Sequence, residues 1–226
     1  MKYYLNPKVL VADLLREFVT DPRDRGEPRT EEIELGATEY ALSPTSGNVL
    51  TITNVTVGST ELKKWQDYFW DYQNQKIILT EEATDTVSIT YLQGTEWIYP
   101  EKPAVKLTET DFPRVDLIMN GGASNRLGQY NAPMEDTYAI QVDLWVKDDF
   151  IYTINGMNYE GNMLADYLGS QIKNALSRNS EGLYPYAYTL EMPTGLRDLP
   201  YDEEYQCHHK ILILEINSIN ENEVEI

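Results

Sequence analysis

The sequence predicts an α+β protein: an antiparallel sheet with a long helix packed across it, plus a small all-β domain inserted after an N-terminal helix. Apolar residues recur every three or four positions in residues 158–178, which predicts a helix with one buried face. Residues on either side of that helix alternate between apolar and polar, as half-buried strands do. Residues 33–99 are short runs rich in Val, Ile, Thr and Tyr between turn residues, which predicts the separate β-domain.

The first helix is predicted over residues 7–19. Asn6 suits an N-cap, Pro7 suits the first helical position, and apolar residues then recur at helical spacing. Residues 20–30 follow with two prolines and a glycine among charged residues. This composition predicts an exposed linker, which we prefer over an anion-binding arm built on its three arginines.

Strands of the β-domain are predicted at residues 49–57, 69–72, 76–80 and 86–92. The turn between the second and third predicts a hairpin in which Asn74 takes a left-handed conformation. Four aromatic residues nearby offer faces on which a sugar can stack, but large aromatic side chains in so small a domain more often form its core. These four are Trp65, Tyr68, Trp70 and Tyr72.

Four strands are predicted around the long helix, at residues 115–119, 137–147, 186–192 and 210–216. The second of them alternates most regularly, with Tyr138, Ile140, Val142, Leu144 and Val146 on one face. The order strand, strand, helix, strand, strand is typical of a mostly antiparallel sheet with a helix on one face. The sequence therefore predicts one domain from residues 1–25 and 104–226, interrupted by a second domain at residues 30–100.

Charge and cysteine content exclude several function classes. The chain of 226 residues has 37 acidic and 18 basic residues, a formal net charge of -19. Such a field repels phosphate backbones, so nucleic-acid binding over a wide surface is not expected. The same charge suits a high-salt environment, with an ordinary soluble acidic protein as the alternative. Cys207 is the one cysteine, so no intrachain disulfide is possible, and we expect it to pack as a small core residue. No apolar run predicts a signal peptide or a membrane span.

Motifs that suggest chemistry are weak. His208 and His209 are adjacent in a predicted strand and should point to opposite faces, so we expect no metal site at this pair. The glycine-rich residues 120–128 lack the Gly-Lys-Ser/Thr ending of a phosphate-binding loop and predict a mobile loop instead. The acidic residues 148–149 and 202–204 lie in predicted loops with no histidine or lysine placed to tune them. We therefore expect no enzymatic activity, no cofactor and no metal.

Two stretches resemble known viral proteins. The stretch beginning Ile52-Thr-Asn-Val-Thr-Val-Gly and ending Asp85-Thr-Val-Ser-Ile-Thr-Tyr is similar to a small β-sandwich module common in structural proteins of tailed viruses. The stretch Trp97-Ile-Tyr-Pro, then Asp111-Phe-Pro-Arg-Val, then Tyr138-Ala-Ile-Gln-Val-Asp-Leu-Trp-Val, followed by the long helix, resembles tail terminator or tail-completion proteins, particularly those of archaeal viruses. Residues 33–99 depart from the usual compact terminator and are interpreted as an insertion.

This resemblance implies a structural virion protein. Members of that family form a ring of six copies that caps the tail tube beneath the neck. The implied partners are further copies of this chain in a homohexamer, the tail tube protein, and the neck or head-completion protein. Genomic DNA would pass through the lumen without specific binding, and no membrane partner is implied. The implied location is the tail and neck region of the virion, with assembly in the cytoplasm of a halophilic host.

Two alternatives stay open at this point. One is a head–tail connector ring, since connector proteins are also small rings with β-rich additions. The other is a decoration protein or a host-glycan-binding module that uses the aromatic residues of the β-domain. For the ring interpretation, the predicted contacts with a neighbouring ring are Tyr130, Pro133 and Met134, in an exposed loop at residues 120–136, together with Trp145.

Overall fold

The computed structural model describes residues 6–33, 37–101, 108, 111–126, 134–183 and 189–220. The chain divides into two compact units. One spans Arg23–Glu96, and the other combines the residues before Arg23 with those after Glu96. Whether residues 30–100 fold as an autonomous insertion stays a prediction.

The α+β class predicted from the sequence is wrong. Of the described residues, 52% lie in strands and 19% in helices. The described ranges contain two α-helices and fourteen strands arranged in four sheets, which is a mainly β protein. The error arose because several strands are polar or glycine-rich and have only a weak local preference for extended structure. Pairing with neighbours distant in sequence makes them strands all the same.

A five-stranded sheet forms the body of the unit that contains the C-terminal half. Its strand order is β13-β14-β10-β9-β8, and all neighbours are antiparallel except β8 and β9. The predicted strands at 115–119, 137–147 and 210–216 are confirmed, and each is longer than predicted. The strands are β8 (Ile98–Tyr99), β9 (Arg114–Arg126), β10 (Met134–Lys147), β13 (Thr189–Asp198) and β14 (Cys207–Asn220).

One face of this sheet is the core of the unit. Alternate residues of β10 and β14 are buried on that face, as the period of two in the sequence predicts. They are Ile140, Val142, Leu144 and Val146 on β10, and Leu212, Leu214 and Ile216 on β14.

Both predicted helices are present, with shifted ends. Helix α1 covers Pro7–Phe18, and the Asn6 side chain accepts a hydrogen bond from the Lys8 backbone nitrogen at 3.0 Å, as expected of an N-cap. Helix α2 covers Gly161–Asn179 and contacts β10 and β14. Residues 158–160, predicted as its first residues, belong instead to a strand. The buried positions of α2 include Leu164, Leu168, Ile172 and Leu176.

That strand is half of a hairpin which the sequence analysis did not predict. Strands β11 (Ile151–Ile154) and β12 (Met157–Glu160) pair antiparallel and form a two-stranded sheet. Asn155 and Gly156 join them with φ values of 50° and 78°. Two successive residues with positive φ are typical of the tight turn that favours Asn-Gly.

The Arg23–Glu96 unit contains two sheets, with orders β1-β7-β3-β4 and β2-β6-β5. The predicted hairpin is confirmed as β5–β6, but the left-handed residue is Gln75, with φ 53°, instead of Asn74. Asn74 bonds Asp71 through its backbone nitrogen and side chain, which leaves the next residue to reverse the chain. The strands are β1 (Gly26–Ile33), β2 (Glu39–Ala41), β3 (Asn48–Val57), β4 (Thr60–Glu61), β5 (Tyr68–Asp71), β6 (Lys76–Leu79) and β7 (Val87–Gly94).

The linker predicted at residues 20–30 is partly wrong, because β1 begins at Gly26. This strand pairs with β7 from Gly26 opposite Gly94 to Ile33 opposite Val87. It is the edge strand of its sheet, so much of its surface faces water and charged residues fit there. Composition alone therefore does not distinguish such a strand from a linker.

Candidate functional site

The four predicted contact residues do not form one described cluster. Tyr130 and Pro133 lie outside the described residues. Met134 is the first residue of β10 and Trp145 lies near its other end. At about 3.3 Å per residue, an extended strand separates these two positions by roughly 36 Å. Any contact at Trp145 is therefore distinct from one at Met134.

The loop predicted at residues 120–136 is wrong for its described part. Strand β9 continues to Arg126 and β10 begins at Met134, and Ala123 lies opposite Thr137 in the ladder between them. Gly121 and Gly122 are thus strand residues next to a register shift at which Asn120 is an extra residue in β9. Glycine has a low strand propensity, which made this segment look like a loop, but a neighbouring strand supplies the pairing.

The extended β9 leaves one strand edge open. Strand β8 pairs with β9 only at Val115 and Asp116, so among the described residues the outer edge of β9 from Leu117 to Arg126 has no neighbouring strand. We call this stretch the β9 edge. Its residues 120–125 are all exposed. An exposed row of backbone N–H and C=O groups can pair with another strand.

Two other edge strands, β1 and β13, carry features that discourage such pairing. Strand β1 contains Pro28 and several charged residues, and β13 contains Pro193 and two register shifts. Proline, charge and bulges are the usual means by which natural edge strands avoid pairing with other chains. Residues 117–125 contain no proline and no charged residue, and one register shift, at Asn120. Among these three edges, the β9 edge is therefore the best suited to pair with another chain.

Trp145 lies on the sheet face opposite the core. It is paired across the strands with Arg114 on one side and His209 on the other. Its ring stacks on the His209 ring, with centroids 3.7 Å apart and planes 12° apart. Trp145 is half-buried, and one face of its ring is covered by His209. A neighbouring molecule could therefore contact only the rest of the ring.

A polar cluster lies at the turns that flank β10 and β14. His208 Nε2 lies 2.6 Å from Asp148 Oδ1, and the Tyr201 hydroxyl donates to Asp148 Oδ2 at 2.6 Å. The hydrogen bond from Tyr201 is the main reason that the pKa of Asp148 is lowered, with His208 adding to it against the effect of burial. The same bond raises the pKa of Tyr201 to about 12. The expectation that no histidine lies near residues 148–149 is therefore wrong.

The chemistry available to this cluster is limited. The neighbouring thiol of Cys207 is buried, as predicted, and burial raises its pKa to about 12. A thiol with such a pKa is a poor nucleophile at neutral pH. The described residues hold no group of three His, Cys, Asp or Glu that could bind a metal ion. Asp148, Tyr201 and His208 thus act as a polar connection between two turns.

The aromatic residues considered for sugar binding lie mainly in the core. Trp65, Tyr68 and Trp70 are buried, which confirms the core interpretation for these three. Tyr72 is half-buried, and its hydroxyl donates a hydrogen bond to the Glu96 carboxylate. Buried rings cannot present a face to a sugar, so these four residues do not form the sugar-stacking surface that the sequence suggested.

The hairpin β11–β12 carries a surface cluster of aromatic and methionine residues that the sequence analysis did not find. The Tyr152 and Tyr159 rings lie 6.4 Å and 4.8 Å from the Tyr167 ring of α2. Met157 near the hairpin tip is 59% exposed, and Met163 in the first turn of α2 is 50% exposed. The dipeptide Asn155-Gly156 between two apolar-polar alternating runs is a strong hairpin signature that would have located it.

Lys210 of β14 is buried and forms ion pairs with residues of α2 and β13. It is 2% exposed, and its ammonium lies 2.8 Å from Asp166 of α2 and also bonds Asp198 of β13. Burial alone would lower the pKa of Lys210, but its bonds to Asp166 and Asp198 more than offset this and raise it. The stabilisation is therefore present through the neutral range and is lost only as the pH rises above the ordinary lysine value of 10.5.

We expect Lys210→Ala and Lys210→Met to differ clearly in stability. The alanine variant loses the buried stem and leaves a cavity, which should lower the free energy of unfolding by about 2–4 kcal/mol. The methionine variant keeps the stem, and Asp166 and Asp198 are exposed enough to return to water, so its loss should stay below about 1.5 kcal/mol. Urea denaturation of both variants measures this. Equal losses would show that the charge, not the stem, carries the contribution.

Comparison of the chain with protein-family models and with curated proteins gives no match. Neither described helix is long and apolar enough to cross a membrane.

Proposed function

We propose that the chain is a structural virion protein that assembles into a closed ring, a homohexamer, at the head-proximal end of a tail tube. There it ends tail growth and joins the tail to the neck. The observation that carries the assembly step is the β9 edge, which has no neighbouring strand among the described residues and is exposed at residues 120–125. The tail-terminator class comes from the sequence resemblance alone.

The two outer strands of the five-stranded sheet suit a head-to-tail contact. The β9 edge lies on one side of this sheet and β13 on the other. Pairing β9 of one subunit with β13 of the next uses different surfaces on the two subunits, and such a contact closes into a ring if the rotation permits. Pro193 and the two register shifts restrict the length of β13 that can pair, and residues 194–198 contain no proline.

Electrostatics also bear on this assembly. Subunits with a formal net charge of -19 repel one another, so we expect the yield of ring to rise with ionic strength. The β9 edge itself has no charged residue between Leu117 and Asn125, so repulsion at the contact is small. An acidic lumen would also keep passing DNA mobile.

A pair of proline variants tests the β9 edge. Successive residues of a strand point their N–H groups at opposite edges, so one of Ala123→Pro and Ser124→Pro loses a donor to β10 and the other loses an outward donor. The variant that loses the donor to β10 should have a lower melting temperature. The variant that loses the outward donor should keep its melting temperature. It should be monomeric by mass photometry at raised salt, where the unmodified chain gives one discrete oligomer. Ser124→Ala controls for the Ser124 hydroxyl, which bonds Asp136.

Two results would contradict the proposal. Rings that persist in both proline variants would place the subunit contact elsewhere than the β9 edge. In infected cells, deletion of the protein should leave heads filled with DNA and tails of abnormal length or tails unable to join heads. Normal tails with normal joining would reject the terminator role and favour the decoration alternative.

A further inference from the structure

The chain contains two Asn-Gly dipeptides, Asn120-Gly121 and Asn155-Gly156. In such a dipeptide the backbone nitrogen of the glycine can attack the side-chain carbonyl carbon of the asparagine and close a five-membered ring. Glycine favours this attack because it has no Cβ to obstruct the approach. Since both asparagines precede glycine, the structure around each one decides which of them reacts.

Asn155 and its glycine are accessible to water and free of hydrogen bonds. They form the two-residue turn between Ile154 and Met157, which lie opposite each other in the hairpin β11–β12. Both turn residues are exposed. Among the described residues, neither the Asn155 side chain nor the Gly156 backbone nitrogen has a hydrogen-bond partner. The two groups that would react are therefore not held apart by other contacts.

The turn already has the φ that ring closure needs. Closing the ring brings the Gly156 nitrogen beside the Cβ of Asn155, and this corresponds to the ψ of the first central residue of a type II′ turn, about −120°. The φ of that residue is about 60° in a type II′ turn. Asn155 has a φ of 50°. Only the peptide plane between Asn155 and Gly156 has to rotate.

Gly156 permits this rotation. Its φ is 78°, so the turn has positive φ at both central residues, whereas the second central residue of a type II′ turn has a negative φ. Glycine adopts either sign at little cost. A Cβ at Gly156 would have no atom within 4 Å, so the surrounding space is open. Both turn types suit a two-residue hairpin, so β11 and β12 stay paired during the change.

Asn120 is exposed as well, but it is held in the sheet. Its side-chain nitrogen Nδ2 donates a hydrogen bond to Gln141 Oε1 at 2.9 Å. The glycine that follows it, Gly121, lies opposite Ala139 in the ladder between β9 and β10. Ring closure would break the bond to Gln141 and move Gly121 out of the ladder. Strand pairing therefore protects Asn120.

We propose that Asn155 is a site of spontaneous deamidation in the folded chain and that Asn120 is not. The Gly156 nitrogen forms a bond to Cγ of Asn155, and the bond from Cγ to Nδ2 breaks. Nδ2 leaves as ammonia and takes the proton of the Gly156 nitrogen with it. Water then opens the ring at either carbonyl carbon. Opening at Cγ gives aspartate, and opening at the backbone carbon gives isoaspartate.

The reaction changes the hairpin in two ways. Either product places a new carboxylate in the turn. Isoaspartate also adds one atom to the main chain between Ile154 and Met157, so the tight two-residue turn no longer fits. Asn155 lies outside the β9 edge, so this proposal does not depend on ring assembly.

Peptide mapping by mass spectrometry tests the proposal. The folded full-length chain is kept at mildly alkaline pH and low ionic strength in water enriched with heavy oxygen, and is then digested with trypsin in ordinary water. The two asparagines fall in separate tryptic peptides, residues 115–126 and 148–173. Fragmentation of each peptide identifies which asparagine has reacted.

We expect residue 155 to exchange its amide nitrogen for one heavy oxygen atom and to give two separable products, aspartate and isoaspartate. Asn120 should react at least about tenfold more slowly, as a barrier higher by about 1.4 kcal/mol would give. Low ionic strength keeps the acidic subunits apart, so the protection of Asn120 then reports its pairing with β10 rather than contact between subunits.

Two controls separate structure from sequence. In guanidinium chloride the chain is unfolded, and the rates at Asn120 and Asn155 should agree within about twofold. Gly156→Ala adds a Cβ that obstructs the attack and disfavours the positive φ, so it should slow the reaction at Asn155 without changing the rate at Asn120.

Three outcomes would overturn the proposal. If both asparagines react in guanidinium chloride but Asn155 does not react in the folded chain, the hairpin protects it. Equal rates at the two positions in the folded chain would show that the structure does not select between them. Aspartate formed without isoaspartate would indicate direct hydrolysis of the side-chain amide instead of ring closure.

Discussion

Gly94→Ala is expected to lower the free energy of unfolding of the Arg23–Glu96 unit by about 3–5 kcal/mol. Gly94 has a φ of 149°, and a Cβ at this position would lie 1.9 Å from the Arg25 carbonyl oxygen. The obstructing atom is backbone, so no side-chain rotation relieves the contact. Gly47 also lies close to this backbone, since a Cβ at Gly47 would be 2.0 Å from the Gly94 carbonyl oxygen.

The position of Gly94 in the sheet makes this clash costly. It pairs with Gly26 of β1 and with Asn48 of β3, so it holds the centre of three strands at one end of the sheet. Moving any one of them to admit a methyl group breaks ladder hydrogen bonds. The absence of side chains at Gly47 and Gly94 is therefore what allows the backbones to meet.

Urea denaturation followed by tryptophan fluorescence measures the effect, because Trp65 and Trp70 are both buried in this unit. Gly26→Ala is the matched control in the same unit, since a Cβ there would come no closer than 3.5 Å to another side chain. We expect it to change the free energy of unfolding by less than about 0.5 kcal/mol. A Gly94→Ala variant as stable as this control would contradict the close backbone approach.

Asp116→Ala is expected to cost about 3–5 kcal/mol in the other unit. Arg114 and Asp116 are both buried, and Arg114 Nε lies 3.1 Å and 3.0 Å from the two carboxylate oxygens. The guanidinium also lies 4.7 Å from the centre of the Tyr99 ring. One of its nitrogens, Nη1, is buried and has no hydrogen-bond partner. Removing the carboxylate therefore leaves a buried cation with its main neutralising charge gone.

Thermal unfolding should show a fall of roughly 10 °C for Asp116→Ala. Asp149→Ala removes an exposed carboxylate and serves as the control, with an expected change below about 0.5 kcal/mol. A double variant with Arg114→Met and Asp116→Leu removes both charges and should recover most of the loss. If Asp116→Ala is as mild as Asp149→Ala, the pair is not the buried contact described above.

Elements with a strong local period were predictable from the sequence. Helix α1 and strand β10 were found near their observed ends, because alternation or three-to-four spacing records which face each element buries. Helix α2 was also found, but its start was placed three residues early. Those residues belong to the Asn155-Gly156 hairpin, whose turn signature the sequence analysis overlooked.

Elements with little local preference were not predictable. Strand β1 looks like a charged linker and the second half of β9 looks like a glycine-rich loop. Both are extended because a neighbouring strand supplies hydrogen bonds, β7 for the first and β10 for the second. The sequence analysis missed these strands and the hairpin. With them, 52% of the described residues lie in strands, and the fold is mainly β instead of the predicted α+β.

By itself, the sequence determined the two helices, the alternating core strands, the burial of Cys207 and the strongly acidic charge. These follow from composition and from periods of a few residues, which a single segment contains. Only the tertiary structure decided which strand edges stay open and which side chains meet. His208 and Asp148 are 60 positions apart, and Lys210 meets carboxylates from two other elements. Such contacts depend on strand pairing and register, which depend on the whole chain and are not encoded in any local pattern.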